Sequence, residues 1–194
     1  SHAEMIYVPK HLCVKIPDGV DSEDASFVTL GAIALQGVRQ AEPRLGDRIA
    51  VIGLGLLGQL TVQLLKASGC RVLGSDVDQS KLQLARESGA DMAALSSDLA
   101  DAAAAFSDGH GVDAVLADSR WPDGAKALLA RAKRAGLPAV LDADVPVPKD
   151  AALLQGATHA AFSAPGLADY CNDDDPERAL RHVAATTGIW CCVT

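Results

Sequence analysis

The sequence predicts an α/β fold: a doubly wound, all-parallel sheet of about seven strands between helices, in three αβα layers. Three observations carry this. From residue 48 onward, short apolar runs alternate with helical patterns, and such alternation implies parallel strands joined by right-handed crossovers. Ala, Gly, Leu and Val dominate the chain, as expected of strands buried on both faces. The first run, Arg48–Ile52, leads into Gly53-Leu54-Gly55-Leu56-Leu57-Gly58, the spacing of a strand that turns tightly into a helix.

The elements follow in order. Residues 1–20 read as a short extended tail, with strand-like pieces over 4–9 and 12–17, each closed by a proline. Residues 21–194 read as a single domain. Asp21 or Ser22 can cap a buried, mostly apolar helical segment that runs to about Gln40, in two short helices, and ends at Pro43 and Gly46. Strands are expected over 49–53, 71–76, 91–95, 112–117, 139–142, 159–163 and 189–193. The helices between them span about 55–68, 79–88, 97–106, 122–135, 149–155, 165–171 and 176–186. Gly69 and Gly89 stop two of these helices, and Pro122 suits a first helical turn.

The glycine turn carries the chemistry. Gly53 allows the tight turn, Gly55 lets backbone approach a pyrophosphate, and Gly58 lets the helix pack close to the strand. Leu56, Leu57 and Gly58 fall in the first helical turn, whose unpaired N–H groups and positive dipole end favour phosphate. The second strand ends in Asp76, placed to accept hydrogen bonds from the adenosine ribose hydroxyls and to repel a 2′-phosphate, against the simpler reading of a solvent-facing acid. The Rossmann-like unit is thus expected to take NAD rather than NADP, with a dinucleotide or an ADP-ribose-like small molecule as the partner.

Other classes are disfavoured. A net charge of -8 argues against a nucleic-acid surface, and 4% aromatics against base-stacking platforms. The five cysteines show no metal-ligand spacing and read as buried thiols of a reducing, cytoplasmic compartment. Cys191 and Cys192 are expected on opposite faces of the last strand. No apolar run reaches membrane-spanning length and no signal peptide is read, so no membrane partner is expected. The chain opens on Ser1 rather than Met, as expected of a trimmed or excised piece. Asp142 and Asp144 sit at a strand end, where metal or acid/base work is conceivable, but helix capping or a solvated loop is the simpler reading. His110, His159 and His182 are scattered, and Asp173–Asp175 reads as a solvated turn before a helix cap.

Residues 2 to about 115 resemble the medium-chain dehydrogenase/reductase superfamily, which includes the zinc-type alcohol dehydrogenases. The matching stretches are His2-Ala3-Glu4, Val8-Pro9, Ile16-Pro17-Asp18-Gly19-Val20, Leu45-Gly46-Asp47, the glycine turn, Gln59 to Gly69, Asp76, Lys81 and Ala85-Arg86-Glu87-Ser88-Gly89-Ala90-Asp91. The resemblance implies that Lys81 lies near the adenosine ribose, although an exposed helical lysine is the plainer alternative. It implies no zinc. Val28 stands where zinc-type members have a ligand cysteine, and the structural-zinc cysteines have no counterparts. From about Val112 to Thr194 the chain is similar to ribokinase-type sugar kinases, through Asp113–Pro122, Ala132–Asp144, Thr158–Ser163 and Trp190–Thr194. Gly111–Leu116 suits both families. The expectation is an engineered chimera that keeps the ADP-ribose half of an NAD site without catalytic residues. The alternatives are a scaffold that binds no ligand and an NAD-dependent medium-chain oxidoreductase fragment with residual activity.

Overall fold

A computed structural model describes Met5 and residues 7–144 and 146–193. The lead-in His2-Ala3-Glu4, Ile6 and Thr194 lie outside the described residues. Seven parallel strands form one sheet in the order β3-β2-β1-β4-β5-β6-β7. They are β1 (Arg48–Ile52), β2 (Arg71–Asp76), β3 (Met92–Leu95), β4 (Ala114–Asp118), β5 (Ala139–Ala143), β6 (His159–Phe162) and β7 (Trp190–Val193). The helices are α1 (Ser22–Ala25), α2 (Val28–Ala41), α3 (Leu56–Ala67), α4 (Gln79–Glu87), α5 (Leu99–Phe106), α6 (Pro122–Arg134), α7 (Ala151–Gly156), α8 (Ala164–Cys171) and α9 (Pro176–Thr187). Sheet and layers agree with the sequence expectation.

Strand alternation sorts the side chains into two cores, because successive residues face opposite sides of the sheet. Ile49 and Val51 of β1 pack with Val38, Val62, Leu65, Leu82 and Ala85, so α2, α3 and α4 cover one face. Ala50 and Ile52 belong to the other core, with Phe106, Leu129, Leu153, Leu154, Leu167 and Val183 from α5 to α9. β7 shows the same rule at the sheet edge. The Cys191 thiol donates to Leu180 O on the α9 side, whereas Cys192 Sγ accepts from Gln36 of α2 on the opposite side.

Local signals explain most boundaries. Asp21 caps α1 through the Asp24 N–H, and Asp78 caps α4 through the Ser80 N–H. Asp175 caps α9 through the N–H groups of Glu177 and Arg178, and Arg178 pairs with Asp173. The acidic turn at 173–175 is therefore the helix entry that the sequence suggests.

The tail adds no strand to the sheet. Over the described residues from 7 to 20 there is no strand, only a short 3-10 turn at Lys10–Leu12. Tyr7, Val14 and Ile16 are exposed. A strand-like piece becomes a strand only where it pairs with a sheet edge, and the edges β3 and β7 each pair with β2 or β6 and not with the described tail.

Candidate functional site

The chain leaves β1 toward α3 on one face and leaves β4 toward α6 on the other. β1 and β4 are neighbours, so a crevice opens where their C-terminal ends part, the usual ligand position in open parallel sheets.

One wall is the glycine turn. The Gly53 N–H extends the ladder to Ser75 O at 2.8 Å. Gly53 has φ +92°, and a Cβ there would fall on the Asp118 carboxylate. Gly55 opens α3 with φ −66° and ψ −170°, and no side chain caps the helix. Its first-turn N–H groups therefore keep their capacity for an anion. A Cβ on Gly58 would land on the Gly53 carbonyl oxygen. The tight turn at Gly53 and the close helix–strand approach at Gly58 thus have geometric counterparts.

Asp76 ends β2 and is buried, at 6% exposure. Its Oδ2 accepts the Leu54 N–H at 2.7 Å and its Oδ1 accepts the Asp78 N–H at 2.9 Å. Lys81 Nζ lies 3.5 Å from both oxygens. The carboxylate therefore braces the turn and keeps an acceptor edge beside a cavity of about 230 Å³, lined by Gly53, Gly55, Asp76, Lys81, Asp118 and Arg120 among others. Gln59 adds a brace: its Nε2 donates to Leu54 O at 3.0 Å and to Lys81 O at 3.2 Å. The sequence brings Gly53, Gly55, Leu56, Leu57, Gly58, Asp76 and Lys81 together as expected.

The other wall is acidic; the sequence points to Asp142 and Asp144 at a strand end but not to Asp118 beside them. Asp118 and Asp142 are register neighbours at the ends of β4 and β5. Burial pushes the Asp118 carboxyl up, and the nearby Asp76 charge adds to this, against the opposing effect of Arg120. Burial, then Asp144 and Asp118, raises Asp142 to about 6. Asp142 is thus neither a helix cap nor a solvated loop acid, which corrects the simpler reading; strand pairing places it against a second acid. Asp144 accepts the Ser163 Oγ–H at 2.7 Å, and its carbonyl accepts the Ser119 Oγ–H at 3.1 Å. A second cavity of about 120 Å³ lies here, lined by Gly55–Gly58, Asp118–Arg120, Asp142 and Asp144 with Leu30. The missed signal was positional: polar residues just beyond β4 and β5 reach the same strand-end crevice as the glycines. Among the described residues, no three His, Cys, Asp or Glu side chains converge as metal ligands. No described helix is long and apolar enough to cross a membrane.

The zinc-binding dehydrogenase family matches residues 57–141. The chain resembles the NAD-binding domain of zinc-type medium-chain dehydrogenases. A D-guloside 3-dehydrogenase of Escherichia coli is 30% identical over 118 residues, covering 59% of this chain and 34% of that protein. A structure from Sinorhizobium meliloti, described as a candidate zinc-binding dehydrogenase and bound to NADP, is 29% identical with a TM-score of 0.60, over 69% of this chain and 40% of the other. An E. coli alcohol dehydrogenase solved with NADH shares the fold at 19% identity and a TM-score of 0.60, over 96% of this chain and 48% of the other. The chain spans about a third of the length of the curated relatives it matches. The family match passes through 112–115, where the sequence suggests a change of family. Across the same stretch β4 pairs in register with β1 and β5. Nothing in the match or in the sheet marks a join there.

Proposed function

We propose that this chain is the dinucleotide-binding domain of an oxidoreductase of the zinc-type medium-chain class, and that it holds NAD(H) across the ends of β1, β2 and β4. The observation that carries the reading is the joint geometry of the turn. Gly55 leaves backbone bare at an uncapped helix N-terminus, and the buried Asp76 stands at the end of the next strand. Gly53–Gly58 would receive the pyrophosphate, with Asp76 and Lys81 beside the adenosine ribose. When bound, the nicotinamide supplies reversible hydride transfer; this chain's residues bind and orient it. The sugar-kinase likeness of residues 112–194 and the engineered-chimera reading contribute nothing to this proposal, which adopts the oxidoreductase alternative.

Titration calorimetry tests it. ADP-ribose should bind, and Gly55→Val should abolish binding without unfolding the domain. A 2′-phosphate on the ribose should weaken binding roughly tenfold, because it meets the Asp76 carboxylate. Asp76→Ala should weaken ADP-ribose and also cost about 2 kcal/mol of stability, since the Leu54 and Asp78 N–H groups lose their acceptor. If millimolar ADP-ribose and NAD give neither heat nor a thermal shift, the reading fails in favour of a ligand-free scaffold.

A further inference from the structure

The dinucleotide reading leaves one charged side chain at the crevice without a role. Arg120 follows β4 directly. Its backbone N–H donates to Asp118 Oδ1 at 3.1 Å. Its guanidinium makes no hydrogen bond or ion pair among the described residues. Nη1 lies 3.3 Å from where a Cβ on Gly55 would sit, so the guanidinium overhangs the N-terminus of α3.

The two strand-end cavities share three lining residues: Gly55, Asp118 and Arg120. One cavity continues to Asp76 and Lys81, the other to Asp142 and Asp144. In a dinucleotide the pyrophosphate links the two nucleoside halves. A molecule with one half in each cavity must carry its pyrophosphate past the shared residues. Of these, Gly55 is neutral and Asp118 repels an anion when ionised. The acids on both sides deepen that repulsion, and the only other cation on these walls, Lys81, already faces Asp76. Arg120 brings to the crossing point a positive charge whose guanidinium donors are unpaired among the described residues, in a planar fork suited to phosphate oxygens.

We propose that Arg120 binds the pyrophosphate of the dinucleotide, opposite the N-terminus of α3, and so makes an acid-lined crevice able to hold an anion. This rests on the dinucleotide reading above.

Calorimetry with ADP-ribose on the wild-type chain, Arg120→Gln and Arg120→Lys tests it. Arg120→Gln should bind ADP-ribose roughly ten- to hundredfold more weakly. It should show a shallower dependence of affinity on salt. Arg120→Lys should recover part of the loss. Equal affinity in the wild type and Arg120→Gln overturns the proposal and leaves the dinucleotide reading standing. Tighter binding by Arg120→Gln also overturns it, since the side chain then acts as a plug. Weaker binding with an unchanged salt slope overturns it in favour of a structural role. No binding by the wild type overturns both readings together.

Discussion

Gly58→Ala is expected to lower the unfolding free energy by about 3 kcal/mol, whereas Gly55→Ala costs less than about 1 kcal/mol. The two glycines are three residues apart in one motif, yet they meet different obstacles. An added Cβ at Gly58 lands on the carbonyl oxygen of Gly53. That oxygen is backbone, fixed by a turn whose N–H groups at Gly53 and Leu54 are bound to Ser75 O and Asp76. Relief requires α3 to move off β1, which opens the core around Val51, Val62 and Leu65. At Gly55 the backbone, with φ −66° and ψ −170°, suits any residue. The nearest obstacle is the end of the flexible Arg120 side chain. Urea unfolding should show a lower midpoint with an unchanged slope for Gly58→Ala and a near-native curve for Gly55→Ala. The order of the two midpoints is the decisive readout, and its reversal would refute the packing argument.

Asp142→Asn is expected to stabilise the domain at neutral pH and to remove a pH dependence present in the wild type. The Asp142 carboxyl is raised to about 6 by burial, helped by Asp144 and Asp118 and opposed by Arg120. The native state therefore holds a proton that the unfolded chain, near the ordinary carboxylate value, releases. Stability falls as pH rises between about 4 and about 6 and then levels off. Asparagine is neutral throughout, so the variant lacks this loss. The gain above about pH 6 has an upper bound of about 3 kcal/mol, from two pK units at 1.36 kcal/mol each. Denaturant midpoints on either side of that window measure it. Parallel pH profiles for wild type and variant would show that Asp142 is already ionised at little cost.

Much of this was legible from residues alone, because the relevant forces are local. β2 occupies Arg71–Asp76 as expected, since its apolar run is bounded by the Gly69 stop and the Asp78 cap. The glycine turn was legible for a similar reason: a strand, a tight turn and a helix start lie within a dozen residues. The acidic wall was legible only in part: Asp142 and Asp144 stand out at a strand end, Asp118 does not. Asp118 and Asp142 become neighbours only through the pairing of β4 with β5. Their charge cost depends on that register and on burial, neither of which single-residue patterns encode. Arg120 escaped notice because a charged residue after a strand is unremarkable until the turn it overhangs is known. The tail's strand-like pieces have no partner nearby in sequence, and over residues 7–20 none joins the sheet.

One helix has a consequence for how the chain is made. α2 precedes β1, yet it contacts α3, β4, β5 and β6, and its Val38 shares a core with Leu116 and Val140. During synthesis α2 emerges long before those strands, so its apolar face waits uncovered except by α3 while about a hundred residues follow at roughly 5–20 per second. A nascent chain halted before β4 would display that face to the translation machinery and to chaperones. It becomes inaccessible only once the far half of the sheet has emerged and docked.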